Sequence, residues 1–320
     1  MRLPVRRAQL LEKTPERRGG IIAHGEVRFM SLEHLNLIGR EISAPVLDLP
    51  LPVIADLNAG HQAGHRDDVE FLDLDFTPID LPTAMNAVCK RPPSAPFTYI
   101  VTPNVDHVVR LLRRRSDLWP AYRDAWMTLC DSRILARLAR GDGRELPVVT
   151  GSDLTLRLFE EGIAADDAVA ILGGSDATVA RISELYGLRN VRHYNPPMGF
   201  IKDPREVARA VRFLVEAKAR YSFLAVGSPQ QEIIARRVAK ARGGQGIGFC
   251  IGASLEFLSG EQERAPAVIQ QMSMEWAFRL CSNPQRLWRR YLIEGPQIFR
   301  IHQMWRSNRA PAPLQAPLHA

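Results

Sequence analysis

The sequence predicts an α/β fold: a Rossmann-like, mostly parallel sheet with helices on both faces, followed by a helical, basic C-terminal appendage. Three observations predict it. Short β-rich runs at 97–102, 168–172, 221–226 and 246–251 each close on Gly, Pro or Asn. Segments of helical spacing follow them, as at Asp106–Arg115, from Asp176 onward, and through Arg237. Strands alternating with helices cover both faces of a parallel sheet. After about residue 262 the composition turns to Arg and Trp, with helical spacing broken at Pro284 and Pro296.

Each element follows from its local pattern. Residues 1–66 mix Arg, Pro and Gly with short apolar pieces and are expected to form a partly disordered extension. The catalytic core is expected over 67–262. It opens with FLDLDF (71–76), whose apolar–acidic alternation reads as a strand, and continues into a helix over Leu81–Lys90. The run FTYIVT (97–102) ends at Pro103-Asn104, Ala168–Leu172 at Gly173-Gly174, Tyr221–Val226 at Gly227-Ser228-Pro229, and Gly246–Ile251 at Gly252-Ala253. A membrane-associating arm is expected over 263–306, and a Pro- and Ala-rich disordered tail over 307–320. Removal of everything beyond about residue 262 is expected to give a more soluble chain that is inactive or weak.

The totals narrow the partners. The chain has 320 residues, 46% hydrophobic and 24% charged, the balance of an ordinary globular protein. Its formal charge of +7 favours an anionic partner. The four cysteines, Cys89, Cys130, Cys250 and Cys281, form no CxxC pair and read as free thiols, with no zinc spacing. The start, MRLPVRRAQLLEKTPERR, is charged without an apolar run, so it does not read as a secretory signal. No stretch approaches the roughly 18 apolar residues of a spanning helix.

Parallel sheets bind ligands at the carboxyl ends of their strands, so the candidate chemistry lies in the loops just named. Thr102 and Asn104 sit where a strand gives way to a helix and suit a sugar hydroxyl or phosphate. Asp131 follows the apolar piece WMTLC; as a strand-end carboxylate it suits a general base, and its local sequence equally suits a helix N-cap. Gly151-Ser152-Asp153 is a polar turn opening a helix at Leu154. Gly173 and Gly174 permit close approach of a nucleotide or simply a tight turn. In VGSPQQE (226–232), Gly227 and Pro229 shape a helix start, Gln231 suits a base or sugar, and Glu232 suits the positive end of the helix dipole. The arm carries Arg264, Arg279, Arg286, Arg289 and Arg290 among Trp and Tyr, a set that suits anionic lipid or single-stranded nucleic acid. Asp73-Leu74-Asp75 has the letters of a metal-binding pair but reads as structural.

In their order, these motifs resemble the WecG/TagA/CpsF family of glycosyltransferases, over roughly residues 68–300. The resemblance rests on Thr102-Pro103-Asn104, Asp131, Gly151-Ser152-Asp153, Leu172-Gly173-Gly174, Val226–Glu232, Arg264-Ala265-Pro266 and, most specifically, EWAFRLCSNPQRLWRRYL (275–292). It implies inverting, metal-independent transfer from a UDP-sugar to a polyprenyl-diphosphate-linked saccharide, without a cofactor. It implies a cytoplasmic enzyme, peripheral on the inner face of the cell membrane, with an anionic membrane surface as partner. Asp131 matches the family's proposed base, Thr102, Asn104 and Gln231 its pocket residues, and the arm arginines its diphosphate-facing set. Three positions depart from the pattern: Asp131-Ser132 replaces an acidic-Gly pair, the arginine that precedes the Gly-Ser-Asp motif in the family is replaced near Val148, and Gln230 replaces a lysine. Homo-oligomerisation is left open, and nucleic acid is not expected as a partner. The competing readings are a nucleic-acid-binding protein using the basic arm and a non-catalytic member of the fold.

Overall fold

The computed structural model of the protein describes residues 68–252, 254–260, 280 and 284–309. The extension expected over 1–66, most of the arm up to residue 283, and residues 310–320 lie outside the described residues.

The chain opens with a hairpin, β1 (Val69–Phe71) and β2 (Leu74–Phe76), paired antiparallel with Phe71 opposite Leu74. The single strand expected over 71–76 is therefore two short ones. Leu72 and Asp73 both take positive φ, 54° and 60°, the conformation of a two-residue hairpin turn. Such a φ costs an ordinary residue about 1–2 kcal/mol. Full burial of Leu72, along with Phe71, Leu74 and Phe76, opposes that cost.

The main sheet has six parallel strands: β3 (Thr98–Val101), β4 (Met127–Thr128), β5 (Val169–Leu172), β6 (Val191–Tyr194), β7 (Tyr221–Leu224) and β8 (Ile247–Cys250). Their spatial order is β4-β3-β8-β7-β5-β6. Alternate side chains point to opposite faces. Ile171, Phe223 and Phe249 enter one core cluster, and Leu172, Leu224 and Cys250 the other. The first of these clusters also takes α1 (Leu81–Lys90), α5 (Gly151–Arg157), α6 (Asp176–Leu185) and α9 (Ser254–Leu258). The second takes α2 (Val105–Arg113), α3 (Trp119–Arg123), α4 (Arg133–Gly141), α7 (Pro204–Ala217) and α8 (Gln230–Lys240). Strand β6 escapes the sequence reading because it is the edge strand, with Arg192 exposed and no apolar run.

The C-terminal elements correct one expectation. Helix α10 (Pro284–Trp288) leads through a π-helical turn, Arg289–Glu294, into α11 (Gln297–Arg309). Helix α11 buries Ile298, Ile301 and Trp305 in the cluster that holds α2 and α4. Trp305 is not a membrane-facing aromatic. Its indole Nε1 donates to Asp73 Oδ1 at 3.0 Å, and the guanidinium groups of Arg144 and Arg309 stand 5.0 and 4.5 Å from its ring centre. Asp142, the C-cap of α4, pairs with His302 Nε2 at 2.5 Å and with Arg306 Nε at 3.1 Å. The helix continues through Arg309, three residues into the stretch expected to be disordered.

Candidate active site

The loops at the carboxyl ends of the strands line one edge of the sheet. On the β3–β4 side, Thr102, Pro103 and Asn104 leave β3, and Asn104 caps α2. Its Oδ1 accepts from the backbone N–H groups of Asp106 (3.1 Å) and His107 (3.4 Å). His107 Nδ1 in turn accepts from the Asn104 backbone N–H. With Oδ1 committed to the helix, the Asn104 amide N–H₂ is the end left to meet a ligand.

Asp131 leaves β4 beside this loop, and its backbone N–H donates to Pro103 O at 3.1 Å. The N-cap of α4 is Ser132, whose Oγ accepts from Leu135 N at 3.2 Å. The alternative role open to Asp131 is thus taken by its neighbour. Val149 N donates to Cys130 O at 2.9 Å, bringing the start of α5 to the other flank of Asp131. There Gly151-Ser152-Asp153 forms the first turn of α5, three residues earlier than the sequence suggests, under a Thr150 cap that binds the Asp153 N–H and carboxylate. Gly151 is buried against Thr102; a Cβ there would lie 2.9 Å from Thr102 Oγ1. Thr102, Asn104, Asp131 and Gly151–Asp153 therefore converge.

The second part of the edge is a cleft of about 190 Å³, lined by Gly174, Ser175, Thr178, Ala225, Gly252, Leu255 and Glu256. It lies where β5 and β7 are neighbours. From β5 the chain crosses outward to β6, and from β7 it crosses inward to β8, so this is a topological switch point. The two glycines of the pair divide their work. Gly173 packs: a Cβ there would meet the Ala225 backbone at 2.9 Å. Gly174 faces the cleft. Ser175 caps α6 through Thr178 N, leaving hydroxyl groups and the α6 N-terminus at the cleft wall. Ser175, Thr178 and Glu256 carry no motif of their own, and only the assembled strand ends bring them together.

Between the two parts, Gly227-Ser228-Pro229 leads into α8, with a cis Ser228–Pro229 peptide. Pro229 is the residue before α8 and not within its first turn. Gln231 is 3% exposed, and both ends of its amide are engaged. Its Oε1 accepts from Gly252 N at 2.8 Å, and its Nε2 donates to Glu232 Oε1 at 2.9 Å. Gln231 thus ties α8 to the cleft loop. Glu232 is also buried; Ser228 Oγ donates to its Oε2 at 2.9 Å, and Arg110 Nη2 donates to that hydroxyl at 2.6 Å. Burial pushes the Glu232 carboxyl above its ordinary range, with hydrogen bonds from Gln231 and Ser228 opposing the shift. Glu232 sits in the first turn of α8, as dipole complementation requires, but the buried network is its larger role. Burial likewise raises the Cys130 thiol to about 12 and Cys250 well above its ordinary value, so these two cysteines are inert.

Of the arm arginines, Arg264 and Arg279 lie outside the described residues, as do the side chains of Arg286 and Arg290. Arg289 is exposed and stands 3.8 Å from Glu294. Asp73, the first carboxylate of the metal-like pair, holds Trp305 and Arg309. No helix among the described residues is long and apolar enough to cross a membrane.

Comparison with known sequences adds a family. The profile described as glycosyl transferase WecG/TagA/CpsF family matches residues 69–311. A curated protein of Bacillus spizizenii, an N-acetylglucosaminyldiphosphoundecaprenol N-acetyl-beta-D-mannosaminyltransferase, is 28% identical over 167 residues. That stretch covers 51% of this chain and 62% of the relative, so the chain spans less than two thirds of the relative's length.

Proposed function

Because the chain belongs to the WecG/TagA/CpsF family of glycosyltransferases, we propose that it moves a sugar from a UDP-sugar to a polyprenyl-diphosphate-linked saccharide with inversion. The relative's name describes a lipid-diphosphate-linked N-acetylglucosamine acceptor and a β-linked product. An acceptor of that class, used in building a cell-surface polysaccharide, is the reading adopted for this chain. The donor is a UDP-activated hexose or N-acetylhexosamine.

The observation that carries this reading is the place of Asp131. It stands at a strand end between the Asn104 loop and the start of α5, with the helix cap supplied by Ser132. In the proposed step, Asp131 takes the proton from an acceptor hydroxyl as that oxygen attacks the anomeric carbon. The new bond forms on the face opposite the UDP. The carbon–phosphate-oxygen bond breaks, and its electron pair leaves with UDP. Thr102 and the Asn104 amide orient the sugar hydroxyls.

The cleft between β5 and β7 suits the nucleotide. The N-terminus of α6 opens onto it and favours negative charge. From β4 to β5 is four strand spacings, about 19 Å at roughly 4.8 Å each. A donor lying along the edge from the cleft would point its sugar toward Asp131. Arg264, Arg279, Arg286, Arg289 and Arg290 are proposed to meet diphosphate charge from the arm, in place of a metal. The engagement of Asp73 with Trp305 and Arg309 supports a metal-free reading of that carboxylate pair.

The test is a screen of UDP-sugars against a synthetic polyprenyl-diphosphate-sugar, read by mass spectrometry, with and without EDTA. Product of one added sugar in β linkage, insensitive to EDTA, is expected. Failure of every UDP-sugar to react in the presence of lipid acceptor would refute the reading.

A further inference from the structure

Helix α4 begins two residues after Asp131 and runs outward to Asp142, where it meets α11. Leu135, Ala136 and Ala139 face the core. The three exposed side chains of the helix are Arg133, Arg137 and Arg140. At 100° per residue they fall within an arc of about 60°. The helix carries no acid. None of the three arginines makes an ion pair or hydrogen bond among the described residues. Nearby Arg114, Arg115, Arg306 and Arg309 each pair with a carboxylate.

This arrangement works against the helix. Cations three and four apart repel one another. Arg133 is the first residue of α4, where the dipole already presents positive charge. A solvated face ordinarily mixes signs. A second observation bears on the kind of partner. Trp288, Leu292, Ile293 and Phe299, on the α10–α11 segment, are each about half exposed or more. That segment packs against α2 through the Arg114–Glu294 pair, and α11 shares the core cluster of α4. Exposed apolar side chains and an unpaired basic stripe thus belong to the same helical layer of the sheet.

We infer that the Arg133/Arg137/Arg140 face is an electrostatic footing on an anionic phospholipid surface, acting beside the apolar side chains of the arm. Two footings fix an orientation that one cannot. Arg133 lies two residues from Asp131, so contact along α4 turns the strand-end edge toward the bilayer. Lipid is favoured over nucleic acid by Leu292 and Ile293, which can enter a bilayer but cannot stack on bases. The inference rests on the lipid-linked acceptor proposed above, yet it is measured without catalysis.

The experiment compares the full chain with the triple variant Arg133→Gln/Arg137→Gln/Arg140→Gln and with a triple Arg→Lys variant. Sedimentation with phosphatidylglycerol-containing vesicles and with phosphatidylcholine vesicles reads partitioning. Each arginine near an anionic surface contributes about fivefold, so the Gln variant should bind anionic vesicles on the order of 100-fold more weakly. The Lys variant should bind like the parent, and parental binding should weaken with salt. Transfer to a short, water-soluble acceptor should be unchanged in the Gln variant. Equal binding of parent and Gln variant to anionic vesicles would overturn the inference. So would loss of oligonucleotide binding with vesicle binding intact. If the parent transfers no sugar, the proposed reaction fails, while the vesicle result still decides this surface.

Discussion

The backbone N–H of Asp131 donates to the carbonyl oxygen of Pro103 at 3.1 Å. One hydrogen bond thus fixes the proposed base to the loop that carries Thr102 and Asn104. The distance from acid to acceptor pocket is set by backbone, not by a flexible side chain. Asp131→Asn keeps that backbone bond and removes only the basic oxygen. Transfer should fall by about 100- to 10,000-fold, with an unchanged melting temperature. Near-normal UDP release by the purified variant would remove Asp131 from the role of base.

Gln231 supplies partners to the half-buried Gly252 N–H and to the buried Glu232 carboxylate. Gln231→Ala leaves both without them, and each unsatisfied buried group costs about 1–3 kcal/mol. Chemical denaturation should show destabilisation of that order, and the KM for donor should rise as the cleft loop at Gly252 loosens. A variant as stable as the parent would show that solvent replaces the amide.

Glu232 sets a pH dependence of stability. Its folded-state pKa is raised above the ordinary value of 4.5 by burial. The folded protein therefore holds this proton more tightly than the unfolded chain. The stabilisation is fully present below about 4.5 and is lost as pH rises through the folded value. Glu232→Gln should flatten that part of the stability–pH curve. An identical slope in parent and variant would assign the dependence to other groups.

The two glycines after β5 should differ. Both have positive φ, 95° and 77°, so alanine at either position is strained. Only Gly173→Ala also drives a Cβ to 2.9 Å from the Ala225 backbone, whereas at Gly174 the first contact is Leu255 Cδ1 at 3.5 Å. Gly173→Ala should therefore be the more destabilising in thermal melts. Gly174→Ala should act more on donor binding, since that residue lines the cleft. The reverse order would contradict this division.

Burial of α11 side chains changes what a truncation near residue 262 should do to solubility. Such a cut removes Ile298, Ile301 and Trp305 from the core. Trp305→Ala alone should cost about 3–5 kcal/mol. The truncated chain should melt lower and aggregate, as size-exclusion chromatography and calorimetry would record. A truncated chain with the parent's melting temperature would show that α11 is dispensable to the fold.

Much of the fold is legible in the sequence where the physics is local. Strands β3, β5, β7 and β8 are short apolar runs stopped by Gly, Pro or Asn, and burial on both faces demands such runs. Strand β6 and the β1–β2 hairpin are not legible. An edge strand keeps polar residues, and a turn at Leu72-Asp73 lacks the usual glycine. In the site, Asp131 and Asn104 were visible as residue types at loop positions. The alternative roles of Asp131 could not be separated, because a cap and a base look alike until Ser132 is seen to close the helix.

The arginine- and tryptophan-rich C-terminus shows the same boundary. Composition alone determined that the protein carries a basic, aromatic segment after an α/β core, since charge and apolar periodicity are sums over neighbouring residues. Only the tertiary structure decided that Trp305 belongs to the core and Trp288 to the surface. Trp305 is placed by Asp73, 232 residues away along the chain, while Trp288 stays about half exposed. A side chain's destination depends on what folds against it, and that partner is not written next to it in the sequence.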